Sequence, residues 1–155
     1  MIVTIDVDDV GWDDVPGLED LVTRAVDAAV AAARIEHDTL ETAILFTSDE
    51  AMMALNAQWR GKANVTNVLS FAAEEFPAPA GEVRPLGDIV LASGVVKREA
   101  AEQGKTLPDH TTHLIIHGLM HLLGYDHETG AEAAVMEGLE TEILKGLGIS
   151  NPYDR

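Results

Sequence analysis

The sequence predicts a single α/β (α+β) domain spanning residues 1–155, in which a small four-stranded sheet is packed by about five helices. Three observations lead there. A chain of 155 residues and 16.6 kDa with 46% hydrophobic residues has enough apolar material for one core, burying roughly two thirds of its unfolded surface. Short strand-like runs alternate with longer stretches of helical periodicity, and no segment repeats another. Capping residues stand where the helical patterns begin and glycines where several of them end.

In chain order, IVTIDV (2–7) alternates apolar and polar side chains as a half-buried strand does. LEDLVTRAVDAAVAAARI (18–35) places Leu18, Leu21, Val22, Ala25, Val26 and Ala29 on one stripe of a helix. TAILFT (42–47) reads as a short buried strand. Thr47 or Ser48 then caps a helix that opens with Asp49 and Glu50 against its dipole and runs to about Trp59. RGKANVT is a polar loop leading into a third strand, NVLSF (67–71), and AAEEFPAPAGEVRP is a surface loop rich in proline, alanine and glycine. LGDIVLA (86–92) is a fourth strand, followed by a helix over SGVVKREAAEQG closed by Gly104. Thr106 opens the helix that carries the first histidines. Thr129 and Glu132 form a T-x-x-E capping box for a last helix to about Lys145, ended by Gly146.

No apolar run approaches the roughly 18 to 20 residues of a membrane span, and the acidic N-terminus MIVTIDVDDVGWDD is unlike a secretory signal, so a cytoplasmic protein is expected. The chain has no cysteine, so a transition-metal site must be built from His, Asp and Glu. The formal net charge of −17 disfavours nucleic acid at long range. That excess is unevenly spread: residues 1–59 carry −11 and 106–155 carry −6, while six bases and six acids cancel in 60–105. An anion-binding face, if the chain has one, belongs to the middle third.

The chemistry is concentrated in HGLMHLLGYDH, residues 117–127. His117 and His121 are four residues apart, so on a helix their side chains lie about 40° from one another, one turn along, and can point at one ion. Gly124 stands where the helix must stop, since glycine enters the left-handed conformation cheaply, and the reversed chain can return His127 to the same point. Three nitrogen ligands with an open position make a catalytic zinc site rather than a closed structural one. His113 shares the helix face, so a register one turn earlier, through His113 and His117, stays open; the Gly124 turn favours the later one and leaves His113 a supporting or packing part. His110 is expected to be solvated and His37 to lie on the surface. Asp126 is open between capping the turn, orienting a ligand histidine and carrying protons.

The pattern shares its three histidines and its glycine with the metzincin proteases, H-E-x-x-H-x-x-G-x-x-H, but Gly118 replaces the glutamate that serves as general base, which disfavours peptide hydrolysis. A phosphodiester suits a metal site without that base, provided the protein supplies a cation for the charge developing on phosphate. Arg60 is the natural one, with Lys62 beside it and Thr66, Asn67 and Ser70 as neutral hydrogen-bonding groups for substrate.

HGLMHLLGYDH, WRGKANVTNVLSF and LGDIVLA, in that order across residues 59–127, resemble the YbeY family of bacterial rRNA-maturation endoribonucleases. The resemblance implies a mixed four-stranded sheet with helices, one zinc ion on His117, His121 and His127, and Arg60 as the catalytically important cation. It implies single-strand-specific RNA cleavage in maturing the 3′ end of small-subunit rRNA and in ribosome quality control, with rRNA and the small ribosomal subunit as partners. Asn67 often appears as aspartate in that family, which makes it a residue that tunes a hydrogen bond. Two other functions fit the residues: a ribosome-assembly factor with a structural metal, and a zinc-dependent hydrolase of another substrate.

Overall fold

The structure, a computed structural model, describes residues 1–34, 40–61, 64–73, 83–126 and 128–153. Strands β1 (Ile2–Val7), β2 (Leu40–Thr47), β3 (Val68–Ala72) and β4 (Arg84–Ala92) form one sheet in the order β1, β2, β4, β3. β1 and β4 run parallel to β2, and β3 runs antiparallel to β4, so the sheet is mixed. Among the described residues five α-helices accompany it: α1 (Leu18–Ala33), α2 (Asp49–Arg60), α3 (Ser93–Glu102), α4 (Leu107–Leu122) and α5 (Gly130–Gly146). A short 3-10 helix at Val10–Asp14, which the periodicity did not foresee, follows β1 and drives Trp12 into the core. There its Nε1 donates to the Thr47 carbonyl at 3.0 Å and its ring packs edge-on against Phe46.

The helix starts follow local chemistry. Ser48, Thr106 and Thr129 each cap a helix by accepting a backbone N–H, from Ala51, Asp109 and Glu132. Such a bond satisfies one of the orphan donors of the first turn and is typically worth about 1 kcal/mol. α2 closes on Gly61, whose φ of 68° is left-handed and whose N–H returns to the Ala57 carbonyl.

The two faces of the sheet are covered differently. Ile44, Phe46, Ile89 and Leu91 join the main core with α1, α4 and α5, whereas Leu69, Val90 and Ala92 pack with Met52 of α2 in a smaller cluster. Alternation along β4 changes parity at a bulge opposite Glu41 and Thr42. Gly87 stands there with φ 139°, and a Cβ on it would lie 2.1 Å from the Phe71 carbonyl oxygen, so only glycine lets β3 and β4 pair this closely. Among the described residues no helix is long and apolar enough to cross a membrane.

α4 is the central helix. Thr111, Ile115, Ile116, Leu119 and Met120 are buried, and the helix packs on α1, α5, β3 and β4. It approaches the sheet closely at Gly118, where a Cβ would lie 3.0 Å from Ile89 Cγ2 and 3.1 Å from Ser70 Oγ. A larger side chain at 118 would require Ile89 and Ser70 to shift by a few tenths of an ångström. The histidine face of α4 is thereby held along β3, an edge strand.

Candidate metal and phosphate site

His117 and His121 face each other across one helical turn, with Nε2 atoms 3.2 Å apart and rings at 84°. Two nitrogens bound at about 2.0–2.1 Å to a tetrahedral ion stand about 3.3 Å apart, so this pair fits two ligands of one metal. The other nitrogen of His117 is also committed. Its Nδ1 donates at 2.6 Å to Oε1 of Glu140, a residue of α5 with no solvent exposure. A proton held on Nδ1 leaves the Nε2 lone pair toward His121.

Glu140 ties together three elements. Its Oε2 accepts from His113 Nε2 at 3.2 Å and from the Tyr153 hydroxyl in a short bond. Burial alone would raise this carboxyl, but the hydrogen bonds from His113 and His117, the charge of His117 and the Tyr153 hydroxyl outweigh it and hold the group at about 2. The same contact and burial push the Tyr153 phenol up, burial first. His113, His117 and Glu140 offer ligand atoms within 4.8 Å of one another, so this cluster could hold a metal ion.

His117 and His121 open onto a groove of about 800 Å³ that is also lined by Trp59, Arg60, Asn67 and Ser70. The sequence therefore brings its proposed cation and two of its histidines into one space. Arg60 is exposed and ends α2, where a polar loop was expected. Helical periodicity simply continues through Trp59 to the Gly61 cap.

The neutral polar residues are engaged within the protein. The Asn67 amide donates to Glu99 at 3.0 Å and its Oδ1 accepts from the Val68 N–H, while the Ser70 hydroxyl donates to the Gly118 carbonyl at 3.1 Å. Thr66 is half-buried before β3 and is not among the groove's lining residues. Lys62, His127 and His37 lie outside the described residues. Asp126 is half-buried after the Gly124 turn, whose φ of 102° is left-handed as the sequence required.

One further expectation changes. His110 is not solvated: it is 3% exposed, and its Nε2 meets Glu99 Oε1 at 2.9 Å. Burial lowers its pKa against the opposing pull of Glu99. Glu99, near the end of α3, meets the ring beside a second cavity of about 730 Å³ that reaches Tyr153. Sequence reasoning also missed Glu140 and Tyr153. Glu140 had a signal, since it lies on the apolar stripe of α5 with Met136, Ile143 and Leu144, where an acid has no place without partners. Tyr153, beyond the last helix, had none.

Comparison with known proteins identifies the family. The family model described as Endoribonuclease YbeY matches residues 8–148. A relative named Endoribonuclease YbeY from Rhizobium johnstonii is 45% identical, covering 98% of this chain and 92% of its own. Relatives of the same name from Allorhizobium ampelinum and Dinoroseobacter shibae are 48% and 46% identical, covering 97% and 98% of this chain and 93% and 90% of their own. The solution structure of TM1509 from Thermotoga maritima shares the fold, with a TM-score of 0.61 at 22% identity over 99% of this chain and 100% of that one. With the family model covering most of its length and curated relatives aligned nearly end to end, this chain belongs to the Endoribonuclease YbeY family.

Proposed function

We propose that this chain is a metal-dependent endoribonuclease that cuts single-stranded RNA, acting in the cytoplasm on small-subunit rRNA 3′ ends and in ribosome quality control. One observation carries the reading. The paired Nε2 atoms of His117 and His121 and the guanidinium-bearing Arg60 line the same groove. Endoribonuclease is also the printed name of relatives that align over nearly the whole chain.

In this reading His117 and His121 hold one zinc ion through Nε2, with His127 as the third ligand, and Glu140 stays outside the ligand set. Its 2.6 Å contact with His117 Nδ1 is a hydrogen-bond length, shorter than the separation of about 3.3 Å between two ligands on a tetrahedral ion. A bound zinc ion supplies Lewis acidity toward phosphate and water. Glu140 keeps the His117 ring turned so that Nε2 serves as ligand. Arg60 stabilises the charge that develops on the phosphate, and Lys62, Asn67 and Ser70 help seat the strand, whereas Thr66 is no part of the groove lining. Gly118 offers no carboxylate, so no side chain at that position acts as base.

The test uses zinc-loaded protein, chelated protein and the His121→Ala variant on single-stranded RNA and on immature small subunits. Cleavage by the loaded wild type alone supports the reading. Binding to subunits with no cleavage under any condition would replace it with an assembly role.

A further inference from the structure

The chain has two tryptophans with opposite fates. Trp12 is 2% exposed in the core, whereas Trp59 is 66% exposed. An indole left in water beside a reaction groove is a poor use of apolar surface unless something covers it in use. Trp59 immediately precedes Arg60 and lines the groove that holds His117 and His121. It also lines a neighbouring pocket of about 380 Å³ with Leu45, Phe71 and Val90, flanked by Asp6 and Asp88. Phe71 meets the indole at a centroid distance of 6.5 Å and an angle of 61°, which orients the ring without covering it.

We propose that Trp59 is the stacking surface for one unpaired RNA base next to the scissile phosphate. The inference deepens the ribonuclease reading and rests on it for the identity of the groove. Adjacent residues divide the nucleotide by chemistry: Arg60 takes the phosphate, and the indole takes the flat apolar face of the base. Asp6 and Asp88 repel phosphate from the apolar pocket, so the backbone stays on the Arg60 side and only a neutral base enters. Every base has such a face, so the contact tolerates sequence. A base inside an RNA duplex has both faces stacked and its edges in narrow or shallow grooves, so the surface selects single strands.

Because Trp12 is buried, intrinsic fluorescence on ligand addition reports on Trp59. Zinc-loaded full-length protein is titrated with a single-stranded 2′-O-methyl RNA oligonucleotide, its duplex and an abasic strand carrying the same phosphates. Quenching by the base-containing single strand, absent with the duplex and the abasic strand and lost in Trp59→Ala, is expected. In cleavage assays Trp59→Ala should raise KM by about 10- to 100-fold, with Trp59→Phe largely restoring it and zinc content unchanged. Equal quenching by the abasic strand, or an unaltered KM in Trp59→Ala, overturns the stacking role. So does self-association of the wild type that is lost in Trp59→Ala with no loss of RNA binding, which assigns the patch to a second copy of the chain. Quenching by the base-containing strand without cleavage of any RNA leaves the stacking surface standing and removes the ribonuclease reading, so the two fail separately.

Discussion

The two sides of the His117 ring differ in almost every physical respect. On the Nδ1 side Glu140 is fully buried and receives hydrogen bonds from His117, His113 and Tyr153. On the Nε2 side His121 stands at 3.2 Å and the space opens to a groove bordered by Arg60 and Trp59. One imidazole is thus clamped by a buried carboxylate on one side and presented to an open groove that carries a cation on the other. The difference teaches which side can change cheaply: a buried carboxylate with three donors resists rearrangement, whereas an exposed groove is free to admit an ion and an anion.

The most severe way to break the open side is His121→Ala. It removes one of the paired Nε2 atoms and should bring bound zinc to near zero by elemental analysis. Retention of a full equivalent, or equally complete loss in His113→Ala, would move the metal to the His113, His117 and Glu140 cluster.

Arg60→Glu comes next. It should leave fold and zinc content intact and lower RNA turnover by about 100- to 1,000-fold, or about 3 to 4 kcal/mol, the usual cost of one charge-stabilising donor. Lys145→Glu, at the exposed end of α5, makes the same change in charge far from the groove and should do much less. A long-range effect fades with salt, so an Arg60→Glu defect that vanished at high ionic strength would strip the residue of its local role.

The clamped side should respond more moderately. Glu140→Gln keeps the shape but loses the charge, and zinc affinity should fall by about 10- to 100-fold by competition with a chelator. The same carboxyl gives the metal-free protein a pH signature. Its pKa is depressed from 4.5 to about 2, so its stabilising contribution is fully present above about pH 4.5 and is lost as pH falls through about 2. Across that window it is on the order of 3 kcal/mol. Thermal melts of wild type should steepen in their pH dependence there and those of Glu140→Gln should not; parallel profiles would show that the network does not hold the charge.

The smallest change expected is in Tyr153→Phe, which deletes one of three donors to Glu140. Zinc affinity should drop by less than in Glu140→Gln, with RNA turnover at saturating zinc nearly unchanged. A larger loss than in Glu140→Gln would mean that the C-terminal residues, and not the carboxylate, set the His117 ring.

What the sequence determined by itself is local. Among the described residues, four strands and five helices stand close to where the strand-like and helical patterns place them, and Ser48, Thr106, Thr129 and Gly124 bound or turn their segments as read. Such features depend on φ, ψ and neighbours within a few residues, so they survive without knowledge of the fold. The His117 and His121 pairing was equally legible, because i, i+4 spacing on one helix needs no tertiary partner. What only the tertiary structure decided is non-local. β4 inserts between β2 and β3 because pairing partners are chosen across the chain, and the tight β3–β4 contact depends on a bulge that alternation alone does not reveal. His110 is buried and meets Glu99 of α3, a partner that its own sequence neighbours do not reveal. Glu140 reaches His117 across 23 residues and is met in turn by Tyr153 from 13 residues beyond. Burial and hydrogen bonding of a charged group are set by whatever the fold packs around it. The ligand pair could therefore be read from spacing, while the carboxylate that orients it appeared only once α5 was laid against α4.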